Sequence, residues 1–474
     1  MSEILTLSVT ELCERLRSRR ASPVDLMQAV LERIEETQSD LGAFCSLRDS
    51  EDLLDEAQAA ERRIMAGEAR PLEGVPLGVK ELEATVGLPW TEGCAIHRDR
   101  VAEHDEVQIA RLKGAGAIVV GKTNAPEFGF TAITKNLLYG VTRSPWNLEH
   151  TPGGSSGGSA AALTGGVCPL VTASDGGGSI RIPASFTGAF GLKPSFGRVP
   201  RGPSARWDHG QTAVYGPLTR TVADAAHYLD IAAGPSPHDP ASLPAPGLSY
   251  VRALEESLPE AVRIGFSPDL GYGVVQSDIA ACVEEGARVF EKLGHVLVPI
   301  TGGPPLLGRE WGLLGGFDLL ADLKQYLPDR EEEFGRAFIA GVKLGEKMNA
   351  DAWGALREKR AQLNAWCAEL FSEVDLLITP TVPYDPPPAR GPFPVETEGR
   401  RQPPAGVAAF TIPFNLSWHP AATVRAGLSN AGLPIGLQIV GPRHRDDVVL
   451  QAARAFERER PWHPEWPTTW APLN

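Results

Sequence analysis

An α/β fold, with layers of helix around a mostly parallel or mixed sheet, follows from three features of this 474-residue sequence. Six short apolar runs (75–79, 117–120, 169–173, 263–266, 374–379 and 435–440) alternate with stretches of helical periodicity. The first 65 residues carry three helix starts and no strand pattern. No internal repeat and no low-complexity tail interrupts the chain, which predicts one continuous unit.

The helix starts are chemically explicit. Ser8-Val-Thr-Glu11 reads as a capping box, with Leu12 and Leu16 on one face behind it. Ser22-Pro23 places proline at a first helical position, and Leu26, Val30 and Ile34 follow at helical spacing. Residues 51–65 complete an N-terminal helical cap. Residues 232–250, rich in Pro, Ser and Ala, read as a connector. Residues 300–365 read as helical, and 382–405, rich in Pro and Arg, as an irregular loop.

Composition excludes several classes. Hydrophobic residues make up 42% and charged residues 22%, the balance of an ordinary soluble protein. The net charge of −14, with no basic run beyond the four arginines of the amphipathic segment 15–20, argues against a nucleic-acid partner. The uncharged stretch 151–174 is broken by Gly, Ser and Pro, so no membrane partner is expected. Six scattered cysteines without CxxC spacing, and an N-terminus without a signal-peptide pattern, predict a cytoplasmic protein. The ten histidines show no ligand spacing, and Cys94 with His97 supplies too few ligands for zinc, so no metal and no cofactor are expected.

Three residues carry the chemistry. Lys80 ends the apolar run Val75-Pro-Leu-Gly-Val-Lys80, Ser155 lies 75 residues further on, and Ser179 another 24. A serine hydroxyl is a poor nucleophile until a base takes its proton, and lysine is a base only when neutral. Burial among uncharged groups favours the neutral amine. The three glycines of Asp175-Gly-Gly-Gly-Ser179 let several backbone N–H groups converge, as an oxyanion hole requires. Pro183 marks a helix start whose N-terminus would also favour negative charge. Two other motif matches fit poorly. Gly116 to Thr123 has the spacing of a phosphate loop, but Ala-Ile-Val-Val reads as a buried strand whose N–H groups are used in a sheet. Gly153 to Gly158 satisfies GxSxG twice, but Thr151-Pro152 is a poor strand end for a nucleophile elbow.

These segments resemble the amidase signature family. The resemblance rests on Gly74-Val-Pro-Leu-Gly-Val-Lys80, Gly116-Ala-Ile-Val-Val-Gly-Lys122-Thr-Asn-Ala-Pro-Glu127, Thr151-Pro-Gly-Gly-Ser-Ser-Gly-Gly-Ser159, Ser179-Ile-Arg-Ile-Pro183, Gly216-Pro-Leu-Thr-Arg-Thr-Val-Ala-Asp224 and Gly432-Leu-Pro-Ile-Gly-Leu-Gln438. It implies one amidase signature domain over 1–474: a large mixed, twisted sheet covered by helices on both faces. Within it, 66–230 would be the catalytic core, 231–405 the variable pocket region and 406–474 the return to the core. It also implies a Ser–cis-Ser–Lys triad. Ser179 would attack the carbonyl carbon, Ser155, in a cis peptide, would relay the proton, and Lys80 would be the base and then the acid. The N–H groups of Gly176, Gly177, Gly178 and Ser179 would hold the oxyanion, and Ser156, Asp175 and Arg181 would orient the loops.

The implied activity is hydrolysis of carboxamide C–N bonds in aryl or alkyl amides, extending to carbamates, through a serine acyl-enzyme. The implied partner is a small amide or carbamate, with the protein a monomer or homodimer. The alternative is an amidase subunit of the glutamyl-tRNA amidotransferase type, acting in a complex. Two departures bear on this. Glu81 stands where many members have aspartate, and Asp175-Gly-Gly-Gly replaces Asp-Thr-Gly-Gly. The second wording is more similar to amidases that cleave nylon-type oligomers and urethanes. The pocket is expected from 200–212, 300–345 and 382–420, with Trp207, Trp311, Phe317 and Trp418 as candidate walls.

Overall fold

Eleven strands join in one sheet, in the order Phe44–Leu47, Ile118–Thr123, Pro76–Lys80, Leu170–Asp175, Val214–Thr219, Phe190–Lys193, Ala421–Leu428, Pro434–Val440, Leu376–Pro380, Arg263–Phe266, Val296–Pro299. This computed structural model describes residues 2–203, 211–462, 466, 467 and 470. Two parallel groups, 76–80 with 118–123 and 170–175, and 263–266 with 296–299 and 376–380, flank four strands that pair antiparallel throughout. The sheet is therefore mixed.

All six apolar runs read from the sequence are strands. Five further strands were not anticipated. Phe44–Leu47 and Phe190–Lys193 are four residues each, too short to show alternation. Val214–Thr219 contains Gly216-Pro217, which locally reads as a turn. Ala421–Leu428 is alanine-rich, and Val296–Pro299 follows directly on a helix. The N-terminal segment is accordingly not purely helical: Phe44–Leu47 pairs antiparallel with Ile118–Thr123 and closes one sheet edge.

Helices cover both faces, and neighbouring residues of strand Pro434–Val440 show it. A Cβ on Gly436 would meet Ser185 of helix Arg181–Thr187 at 2.4 Å, whereas the Leu437 side chain reaches toward Gly286 of helix Ser277–Lys292. Successive strand residues point to opposite faces, so these two helices lie on opposite sides. Ser8 and Glu11 form the expected reciprocal capping box, and the Ser22 hydroxyl accepts from Val24 N and Asp25 N above Pro23. Over one end of the site, helices Gly308–Leu323 and Arg336–Leu344 form a hairpin. It is held by stacked rings, Phe338 on Phe128 at 5.3 Å, and by the Glu127 carboxylate, which accepts from Gly335 N at 3.0 Å. Among the described residues no helix is long and apolar enough to cross a membrane.

Candidate active site

Lys80 sits at the C-terminal end of a central strand, fully buried, and its backbone N–H donates to Thr172 Oγ1 at 2.9 Å. Its Nζ lies 2.9 Å from Ser155 Oγ, 2.8 Å from Ser156 Oγ and 2.9 Å from Ser174 Oγ. The Gly154–Ser155 peptide is cis. Ser156 N donates to Ser179 O at 3.3 Å and so ties the two serine loops together. Ser155 and Ser179 both line a cavity of about 340 Å³. Burial drives the Lys80 ammonium down to about 7, against the opposing charges of Glu83 and Asp175. Ser174 was not singled out from the sequence, because a serine at a strand end has no pattern of its own.

The loop 175–179 is folded around one ion pair. Arg181 grips Asp175 bidentately, Nε to Oδ2 and Nη2 to Oδ1, each at 3.0 Å, with both side chains fully buried. Burial by itself would raise the Asp175 pKa. The Arg181 charge and hydrogen bonds, the Asn415 amide and the Lys193 charge outweigh it and hold the carboxyl well below the usual carboxylate range. Asp175 then collects backbone donors: Gly178 N at 2.7 Å, Ile180 N at 3.2 Å and Arg181 N at 3.4 Å. Two expectations change as a result. The Gly178 N–H is not available to an oxyanion, and the first N–H groups of helix Arg181–Thr187 neutralise Asp175 rather than a reacting group. Gly178 still requires glycine, since its φ is +136°.

The carbonyls of this loop are each held from outside. Asp175 O accepts from Asn415 Nδ2 at 3.0 Å, Gly176 O from Trp311 Nε1 at 2.9 Å, Gly177 O from Thr411 Oγ1 at 2.6 Å and Gly178 O from Ile182 N at 2.7 Å. In a trans peptide the C=O and the following N–H point in opposite directions. Holding the carbonyls of 175, 176 and 178 outward therefore turns the N–H groups of Gly176, Gly177 and Ser179 the other way.

Glu81 does not contact the Lys80 amine. Its buried carboxylate accepts from Thr91 N, from Thr91 Oγ1 at 2.7 Å and from Gly93 N at 3.0 Å, and so anchors the loop that carries Trp90 and Glu92 into the cavity wall. Arg100 lies 4.0 Å over the Trp90 ring and bonds Glu92 at 2.8 Å. The phosphate-loop match resolves as a strand: Ile118–Thr123 pairs on both sides, and buried Lys122 donates to the Glu83 carbonyl. Ser155 likewise follows coil, not a strand.

The cavity wall differs from the expected one. Arg201 and the segment 311–326 contribute, as anticipated, but so do Leu82, Trp90, Phe128 and Tyr215, from stretches not anticipated. The region 382–420 lines none of the cavity among the described residues; its Thr411 and Asn415 hold the loop 175–179 instead. Of the candidate aromatics, Trp311 lines the cavity. Phe317 is exposed, Trp418 stacks on Phe196 at 5.0 Å away from it, and Trp207 lies outside the described residues.

Known proteins share both the sequence pattern and the fold. A family profile described as Amidase matches residues 25–450. The chain is 36% identical to an acylamidase of Rhodococcus erythropolis, over 96% of each chain. It is 34% identical to a glutamyl-tRNA(Gln) amidotransferase subunit of Geobacter sp. (strain M21), over 97% of this chain and 99% of that one. Among solved structures it superposes on a bacterial aryl acylamidase with a TM-score of 0.93 at 30% identity, covering 99% and 100% of the two chains. It superposes on 6-aminohexanoate cyclic dimer hydrolase with a TM-score of 0.86 at 28% identity, covering 97% and 98%. The chain belongs to the amidase signature family of amide-hydrolysing enzymes.

Proposed function

We propose that Ser179 attacks the amide carbonyl, that Ser155 passes the Ser179 proton to Lys80, and that Lys80 then protonates the departing amine. The observation that carries this reading is the buried Lys80 Nζ, 2.9 Å from Ser155 Oγ, with Ser155 and Ser179 on one cavity. A neutral amine has two N–H bonds and one lone pair, and three hydroxyls and, at 3.4 Å, the Ser174 carbonyl surround Nζ. The lone pair accepts from Ser155, while the N–H bonds go to Ser156 and Ser174. The N–H groups of Gly176, Gly177 and Ser179 hold the oxyanion. Deacylation by water runs the relay again.

The cavity wall, with Trp90, Phe128, Tyr215 and Trp311, suits an aromatic group on either side of the scissile bond. Aryl amides are the first substrate class, alkyl amides and aryl carbamates the next; a carbamate cleaved at its C–N bond would release the amine and leave an oxycarbonyl (carbonate ester) group on Ser179. The amidotransferase-subunit reading is separated by turnover of the purified single chain on an anilide without ATP or partner, which we expect to proceed. Mass spectrometry after reaction with a slowly deacylating aryl ester should find the acyl group on the peptide containing Ser179. Ser179→Ala should lose acylation while keeping its thermal midpoint. An acyl group on any other residue would overturn the assignment.

A further inference from the structure

We infer that Trp311 is a positioning residue for the oxyanion hole, and that the helix carrying it is thereby part of the hydrolytic apparatus as well as a wall of the pocket. This rests on the reading of Ser179 as nucleophile. Three carbonyls of the loop 175–179 are held by side chains distant in sequence, and two of those holders, Asn415 and Thr411, are fully buried. The third, Trp311, comes from the helical hairpin over the site and reaches Gly176 O across 135 residues of sequence. The peptide it grips is the one whose other end is the Gly177 N–H. With the Gly176 carbonyl held toward the indole, that N–H faces away from it.

The contact is closed on the carbon side too. A Cβ on Gly177 would come within 2.5 Å of Trp311 Cζ2, so the indole packs against the backbone where only glycine leaves room. Trp311 also lines the cavity, so one side chain both walls the pocket and aims the donor. A donor outside the hole costs nothing in ground-state binding when removed, but it leaves the Gly177 peptide free to rotate as negative charge develops.

Trp311→Phe keeps an aromatic ring but removes the indole N–H together with part of the ring's bulk, so a ketone-against-alcohol comparison isolates the oxyanion effect from lost packing. On a 4-nitroanilide we expect kcat to fall roughly tenfold, the size of one net hydrogen bond, with KM within about twofold of the parent. A trifluoromethyl ketone, which adds to a serine and places an oxyanion in the hole, should weaken by the same factor as kcat/KM. The corresponding alcohol, which forms no oxyanion, should bind unchanged. An unchanged kcat, or a ketone affinity that does not follow kcat/KM, overturns the inference. Ser179→Ala is measured alongside. If it retains turnover, the nucleophile assignment fails; if it is inactive while Trp311→Phe keeps full kcat, only the role of Trp311 fails.

Discussion

At the scale of single residues, the proposed relay makes the site depend on the protonation of one buried amine. An ammonium at Lys80 has no lone pair for the Ser155 proton, so kcat/KM on an anilide should rise with pH through roughly pH 6–8, centred on the Lys80 value of about 7, and level off above. A flat profile over that range in a reaction limited by acylation would contradict a lysine base. Glu83 sits three residues away, fully buried; burial pushes its carboxyl up, while Thr172, Lys80 and Lys122 pull it down. Its charge opposes the loss of the Lys80 proton, so Glu83→Gln should move the rising limb to lower pH. The same burial costs stability. The folded Lys80 value lies below its ordinary 10.5, so between about pH 7 and 10.5 the unfolded chain holds a proton that the folded chain does not, and stability grows as pH rises through that window. Lys80→Met should therefore be inactive yet melt a few degrees higher at pH 7, an advantage that shrinks toward pH 10.

At the scale of elements, the turn from strand Leu170–Asp175 into helix Arg181–Thr187 is built on a buried ion pair. The Arg181 guanidinium also donates to Thr411 O at 3.0 Å, to Gln438 Oε1 at 2.8 Å and to Asn415 Oδ1 at 2.5 Å. Removing the cation leaves Asp175 as an uncompensated buried charge. Arg181→Met should lower the unfolding free energy by about 3–5 kcal/mol, measured by urea titration, and abolish turnover. Less of this was legible in the sequence than the proposed trio of Lys80, Ser155 and Ser179. Asp175 and Arg181 stand six residues apart in a recognisable motif, but Thr411 and Asn415 lie more than two hundred residues downstream and have no local pattern. The availability of the Gly178 N–H was likewise invisible: three glycines permit many loops, and the Asp175 carboxylate selects one.

At the scale of the whole molecule, strands from 44 to 440 share one sheet, so distant parts of the chain stabilise the site jointly. The N-terminal segment is bound to that sheet by Phe44–Leu47 and to helix Val222–Ala232 by Thr10, whose N and Oγ1 both donate to Asp224 Oδ1 at 2.9 Å. Under the reading of 1–474 as one domain, deletion of residues 2–66 should yield an aggregation-prone chain with a bare sheet edge, seen as lost two-state unfolding and increased dye binding. A soluble, cooperatively folding truncation would show the segment to be an appendage.

The sequence by itself determined the layered α/β class, six of the strands and the helix caps, and it singled out Lys80, Ser155 and Ser179 as candidates. These are local matters: periodicity, capping side chains and residues whose chemistry admits few roles. Tertiary structure alone decided the five short or glycine- and proline-bearing strands, the cavity wall from 82–106 and 128–129, the work of Glu81 on the loop at 91–93, and which backbone N–H groups stay free. Those outcomes turn on which distant donor reaches which carbonyl, as Trp311 reaches Gly176, and such pairings are fixed by packing in three dimensions rather than by spacing along the chain.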